Sequence, residues 1–339
     1  MKILVTGGGG FLGTEICKQL LQKQHEVVSA SRSHYPHLEE LGVEQRKIDL
    51  SKSTIDLVGV DAVIHTAAKA GVWGSYDEFY QNNFISTQNI LKASMDSGIT
   101  KFVYTSSPSV VFGKDDIENA DESIDYPSKF YTAYSETKAM AEKLVLDKNS
   151  SDFKTVAIRP HLIWGEGDPH LTPRLISKAK AGRLKVVGYG ENLVDVIHVK
   201  NAAHAHVLAL ETLKKSEFEG GKAYFVGQER PVNLWDFINQ ILKYAGLDPV
   251  DQYIGFKTAY VLGGILEVLF KILGVRSPEP PMTRFVALQL AKHHYFSHKS
   301  AREDLGYAPI VSIEDGLKDL FKAKNENLTV IKEFESSAP

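Results

Sequence analysis

The sequence predicts an α/β chain: a doubly wound parallel sheet with a smaller C-terminal lobe. Two observations carry this. Short apolar runs alternate with stretches of helical periodicity from residue 2 to residue 160, the pattern of repeated βαβ units. Beyond Pro160 the alternation loosens. Glycine, proline and asparagine gather at 165–173 and 188–192, and three prolines at 277–281, as in a lobe built from irregular connections.

Taken in order, strands are predicted at 2–6, 25–30, 62–66, 102–105 and 155–158. Helices are predicted at 12–22, 79–95 and 133–146 between them. Handed crossovers then stack the strands in parallel with helices on both faces. Further on, 194–199 reads as a strand, 202–213 as a helix, and 234–245 as a helix capped by Asn233. Residues 1–160 therefore form the sheet domain, with 194–226 returning to it. Residues 161–193 and 227–325 form the second lobe, and the last ten residues or so are expected to fray. Residues 254–275 are apolar but interrupted by Lys257, Glu267 and Lys271. They read as a helix carrying a Glu267–Lys271 pair at i,i+4.

Composition removes several function classes. The chain has 339 residues and a formal net charge of −3 with no long basic run, so a broad nucleic-acid face is excluded. No stretch reaches the length of uncharged apolar residues that a membrane span needs, and MKILVTGGGG does not read as a signal peptide. Cys17 is the single cysteine, which rules out an internal disulfide and fits a reducing, cytoplasmic setting. Its place among apolar residues marks it as a small core filler. His293, His294 and His298 lack the spacing of a metal site, and no metal is assigned.

Gly7, Gly10 and Gly13 form G-x-x-G-x-x-G between the first strand and the first helix. Glycines there let the backbone approach a pyrophosphate, and the helix N-terminus offers its amides to the negative charge. The second strand closes on Ser29-Ala30-Ser31-Arg32. The acid that would bind a ribose 2′-hydroxyl is missing, whereas Ser31 and Arg32 suit a 2′-phosphate. The expected cofactor is NADP(H).

Tyr134-Ser135-Glu136-Thr137-Lys138 is Y-x-x-x-K at the start of a helix, with both side chains on one face. A phenol is a weak acid, and a nearby ammonium should lower its pKa. Tyr134 then exchanges a proton with a carbonyl or hydroxyl oxygen while Lys138 assists. Tyr131 does not qualify, since Ser135 stands where its lysine should be.

The glycine spacing and Y-x-x-x-K together resemble the extended short-chain dehydrogenases/reductases. YTSSPSVVFG, RPHLIWGEGD and VDVIHVKNAAHAHVLAL resemble their 3β-hydroxysteroid dehydrogenase branch. Within that branch, AAKAGVWGSYDEFYQNN and PPMTRFVALQLAKHHYF look most like bacterial 2-alkyl-3-oxoalkanoate reductases of long-chain olefin synthesis. The resemblance covers nearly the whole chain. It implies a Rossmann sheet and a cofactor held by Gly7, Gly10, Phe11, Leu12, Gly13, Ser31, Arg32, Asp49, Leu50, Ala67, Ala68, Lys138, Pro160 and Ile163. Asp49 takes the adenine in that reading, and a bland turn is its alternative.

It also implies that a hydroxyl at the end of the fourth predicted strand binds the substrate oxygen. Counting from the strand gives Ser107, with Ser106 the alternative, while counting back from Gly113 gives Pro108. Asn83 is expected to be a structural support. His161 faces either the substrate or the core, and Arg284 is the candidate cation for a substrate carboxylate. The implied reaction is NADPH reduction of a long-chain 2-alkyl-3-ketoacid to the 3-hydroxyacid. The rivals are a sterol-type 3β-hydroxy-4-carboxylate dehydrogenase, a sugar-nucleotide epimerase and an NADP-sensing regulator. The apolar run Phe256, Tyr260, Val261, Leu262, Ile265, Leu269 and Phe270 suggests an alkyl pocket. For 254–275 as a whole the readings are a helix packed in the small lobe or at a dimer face, and a mobile cover over the alkyl chains that also touches a pathway enzyme or a membrane surface. A homodimer is the expected assembly.

Overall fold

The computed structural model describes residues 1–320. Seven strands make one sheet: β1 (Lys2–Thr6), β2 (Glu26–Ser31), β3 (Glu44–Lys47), β4 (Ala62–His65), β5 (Lys101–Thr105), β6 (Lys154–Pro160) and β7 (Lys222–Val226). Their order is β7-β6-β5-β4-β1-β2-β3, and every pairing is parallel. The order reverses between β1 and β4, which opens a crevice at the carboxyl ends of those strands.

β1 shows why a continuous apolar run sits at the centre. Ile3 and Val5 join one buried cluster with Ile16, Cys17 and Leu20, while Leu4 joins another with Ile90, Leu91 and Phe102. A strand covered on both faces has no polar side to show. Cys17 is fully buried in the first layer, and burial pushes its thiol up to about 12. It packs there as a small hydrophobe.

The helices that matter to the site are α1 (Phe11–Gln22), α2 (Ala133–Asp147), α3 (Leu171–Lys180), α4 (Val199–Thr212), α5 (Phe256–Ile272) and α6 (Arg284–Ala291). α4 packs on α1, and β7 follows α4 to pair with β6. The remainder surrounds a separate core around Trp164, Trp235 and Phe237. There Asn233 caps its helix, accepting from the amides of Trp235 and Asp236.

Three local expectations change. The predicted strand 194–199 is two short ones, Leu193–Val194 and Ile197–His198, in different sheets, and α4 starts at Val199. The predicted helix 79–95 is helical throughout but widens to a π-turn over Tyr80–Ile85. The Glu267–Lys271 pair does not form. Glu267 is buried and takes both the backbone N–H and the guanidinium of Arg284. No helix among the described residues is long and apolar enough to cross a membrane. The expected fraying at the C-terminus and the lobe's limit at 325 lie outside the described residues.

Candidate active site

A cleft of about 640 Å³ runs along the carboxyl ends of β1, β2, β4, β5 and β6. Its first wall is mostly backbone. Gly7, Gly10, Phe11, Leu12 and Gly13 line it at the start of α1. Gly7 has φ +69°, and a Cβ there would meet the backbone of Ala67 at 3.0 Å. A Cβ on Gly13 would stand 2.2 Å from the Gly7 carbonyl oxygen. Only glycine lets α1 come this close to the loop, which leaves amides facing the cleft for a phosphate. These residues fit the pyrophosphate of a dinucleotide.

Ser31, Arg32, Asp49 and Leu50 line the same wall beyond β2 and β3, and Ala67 and Ala68 line it beyond β4. Arg32 donates to Asn82 Oδ1 at 3.2 Å. Asp49 accepts from the amide and hydroxyl of Ser51, which hold its carboxyl below the usual range, and so it is built into a turn while bordering the cleft.

The floor is where the titratable groups meet. Thr132 caps α2 through its hydroxyl, accepting the N–H of Ser135, and the first turn carries Tyr134 into the cleft. Lys138, one turn further, is buried. Its ammonium donates to the Thr105 carbonyl at 2.5 Å and lies 4.2 Å from the centre of the Tyr104 ring. Burial lowers Lys138 to about 7, and Glu142 partly opposes that fall. The lowering expected of the Tyr134 phenol is not found. Burial raises it above its ordinary value, and the nearby Ser107 hydroxyl, rather than Lys138, lowers it in part. The ammonium is turned to the carbonyl at the end of β5. Ser106 and Ser107 both line the cleft with Tyr134; Ser107 Oγ accepts the N–H of Ser109, and the Ser106 hydroxyl is buried without a hydrogen-bond partner among the described residues.

Beneath this lies a group that the sequence reading passed over. Glu142, on α2 one turn after Lys138, is fully buried. It accepts two hydrogen bonds from Arg159, at 2.9 and 2.6 Å, and one from the Tyr126 hydroxyl at 2.6 Å. Those donors hold its carboxyl below the usual range despite burial. The available signal was a carboxylate at the i+4 position from Lys138, on the face of α2 that packs inward. Asn83, in the π-turn, is also buried. It joins Lys69 in the cleft-side loop, through both backbone groups, to Thr137 on α2.

The second wall comes from distant segments. Pro160 ends β6 and His161, Leu162 and Ile163 follow it; Asp168 and His170 precede α3 and Arg174 lies in its first turn; Phe285 and Gln289 belong to α6. His161 borders the cleft and is also tied into the core, with Nε2 2.7 Å from His294 Nδ1. The Gln289 carbonyl can only accept, so His294 donates through Nε2 and accepts through Nδ1. His161 then donates through Nε2. Burial holds both rings well below the ordinary histidine value.

Arg284 does not line the cleft; its guanidinium is occupied by Glu267. Nor does the cleft draw on Phe256, Tyr260, Val261, Leu262, Ile265, Leu269 or Phe270. Val261, Leu262, Ile265 and Leu269 are exposed on the outside of α5. Arg174, which the sequence reading missed, is the cation on this wall.

Comparison with known proteins narrows the chemistry. Residues 4–256 match the model of the 3-beta hydroxysteroid dehydrogenase/isomerase family. The chain is 48% identical to a 2-alkyl-3-oxoalkanoate reductase of Stenotrophomonas maltophilia, over 94% of this chain and 98% of that one. It is 44% identical to one of Shewanella oneidensis, over 93% and 84%. Among solved structures, UDP-glucuronic acid 4-epimerase from Bacillus cereus in complex with NAD is 24% identical, with TM-score 0.74 over 96% of this chain and 99% of that one, a likeness of fold.

Proposed function

Since the chain belongs to the 3-beta hydroxysteroid dehydrogenase/isomerase family, and is an NAD(P)-dependent oxidoreductase acting on a hydroxyl or ketone group, we propose that it reduces the ketone of a long-chain 2-alkyl-3-ketoacid with NADPH. The observation that carries this is the near full-length identity to two 2-alkyl-3-oxoalkanoate reductases. The choice of NADP rests on Ser31 and Arg32 at the end of β2, both on the cleft, with no acid in the strand end Ser29-Ala30-Ser31-Arg32.

The bound cofactor supplies hydride, and the chain's residues do the rest. Gly7, Gly10, Phe11, Leu12 and Gly13 hold its pyrophosphate, while Ser31, Arg32, Asp49 and Leu50 hold its adenosine end. Ala67, Ala68, Pro160 and Ile163 flank the ring end, and Lys138 holds the neighbouring ribose. Ser107 orients the substrate's ketone oxygen and Tyr134 protonates it. Tyr134, a buried phenol raised above its ordinary value, keeps its proton throughout the neutral range and so has one to give. His161 closes the substrate side. The setting we propose is cytoplasmic, as a homodimer, with the exposed apolar face of α5 available to a second copy or a pathway enzyme.

The test is a panel of 2-alkyl-3-ketoacids with reduced cofactor, 3-hydroxysterol acids with oxidised cofactor, and nucleotide sugars, followed by nicotinamide absorbance for the first two and by product analysis for the sugars. Turnover with the ketoacids and NADPH supports the reading. Turnover confined to sterol acids or nucleotide sugars, or a preference for NADH, overturns the corresponding part.

A further inference from the structure

Three cations line the cleft among the described residues: Arg32, Lys138 and Arg174. Arg32 stands at the end of β2, and Lys138 is buried against the Thr105 carbonyl. Arg174 is alone on the second wall, where Leu162 and Phe285 also lie.

Arg174 sits in the first turn of α3, whose start is fixed by Asp168. That carboxylate accepts the N–H groups of His170, Leu171 and Thr172, so the position of the guanidinium is set by a well-tied helix end. Its ion-pair partner is Glu279, reached through Nη2 from the proline-rich segment before α6. A guanidinium carries five N–H donors, and those other than Nη2 have no partner among the described residues. Lys178, one turn on, adds a second positive charge that repels Arg174 rather than neutralising it. One carboxylate is thus paired with Arg174, while the nearby Lys178 adds positive charge at the edge of the cleft.

We propose that Arg174 is the residue that binds the substrate's carboxylate, and that Glu279 is the counter-ion it exchanges on binding. A planar fork presenting parallel donors matches a carboxylate better than a point charge does. The assignment replaces Arg284, which does not line the cleft and whose Nε and Nη2 donate to Glu267. It rests on the reading of the substrate as a 3-ketoacid, and it adds the group that separates an acid from its ester.

The experiment uses the full chain in the oxidative direction, with a chemically stable 2-alkyl-3-hydroxyacid, its methyl ester and NADP. The unaltered protein should favour the acid by roughly ten- to a hundredfold in kcat/KM, the span of a charge-assisted contact. Arg174→Gln should bring acid and ester together, through KM for the acid, with unchanged NADPH affinity. Arg174→Lys should recover part of the preference. Glu279→Gln should lower KM for the acid and leave the ester alone. An Arg174→Gln protein that keeps its preference for the acid overturns the proposal, and so does one that loses NADPH affinity instead. If the unaltered protein oxidises neither acid nor ester, the ketoacid reading itself has failed, a result that is visible before any variant is made.

Discussion

The two walls of the cleft are built in different ways. On the cofactor wall each contact sits where a strand meets its own loop: Gly7 after β1, Arg32 after β2, Ala67 after β4. Backbone does much of the work, and close approach is possible because Cβ atoms are missing at Gly7 and Gly13. On the substrate wall, residues 160–174 meet 285–289 across more than a hundred positions of sequence. Side chains do the work there, and their own partners (His294 for His161, Glu279 for Arg174) come from elsewhere again. The first wall is built from the ends of the sheet's own strands, and the fold as a whole resembles that of a UDP-glucuronic acid 4-epimerase at TM-score 0.74. The second is where a fold acquires a particular substrate.

The largest effect should fall where the walls meet. Tyr134→Phe removes the proton donor while leaving both walls in place, so turnover should drop roughly 10²–10⁴-fold. NADPH affinity, followed by fluorescence titration, should barely change. A Phe variant with near-normal turnover, under conditions where chemistry limits the rate, would remove Tyr134 from the mechanism.

Glu142→Ala probes what both walls stand on. It strips Arg159 of its two carboxylate hydrogen bonds while the guanidinium stays buried. Leaving a buried charge unpaired costs about 3–5 kcal/mol. Urea unfolding should report that loss, and a shift within about 0.5 kcal/mol would mean that solvent reaches Arg159.

This contrast explains what the sequence could convey. The glycine loop, five of the sheet's seven strands and Y-x-x-x-K are local patterns set by backbone geometry, and they were readable; β3, β7 and the order of the sheet depend on pairing between distant segments and were not. α5 was misread because apolar composition does not say which face turns inward. Its buried stripe is Ala259, Gly263 and Glu267, not the large aliphatics. A Cβ on Gly263 would stand 2.6 Å from the Thr283 carbonyl carbon, so small residues won the interface with α6 and Ile265 and Val268 were left outside. Arg174 was equally invisible, since nothing near it in sequence reveals Glu279 or the cleft.

Arg32→Ala should act on one wall alone. Losing a charge-assisted contact to a 2′-phosphate should weaken NADP by roughly ten- to a hundredfold and leave NAD unchanged. Paired titrations of the two cofactors give the ratio. An unchanged ratio would transfer cofactor choice to another residue.

Acid should unsettle both walls. Burial holds His65 down to about 3 and His206 and His294 to about 4, against about 6.5 in the unfolded chain. Their neutral rings therefore contribute stability that is fully present above pH 6.5. It is lost as pH falls from there toward 4, because the unfolded state takes up the protons first. Each buried ring should contribute about 1.4 kcal/mol per pH unit over that window. Urea midpoints at pH 7.5, 6.5 and 5.5 measure the trend, and a flat profile would mean that these rings gain protons without unfolding.

The smallest effect belongs to the substrate wall's apolar part. Each methylene moved from water to an apolar surface is worth about 0.8 kcal/mol, or roughly fourfold in kcat/KM. Lengthening the alkyl chain should raise kcat/KM in steps of that size until the wall is covered, and then stop. Phe285 is the aromatic that this wall presents to the cleft from α6, packed against Phe112 with ring centres 5.5 Å apart. Phe285→Ala should shallow the chain-length slope without altering NADPH affinity, because no part of the first wall rests on it. If the slope survives in Phe285→Ala but falls when Leu162 is truncated, the chains run on the β6 side of the cleft. If short and long acids are handled alike from the outset, the wall does not bind alkyl chains at all, and its substrate must be sought among compact acids that Arg174 can still hold.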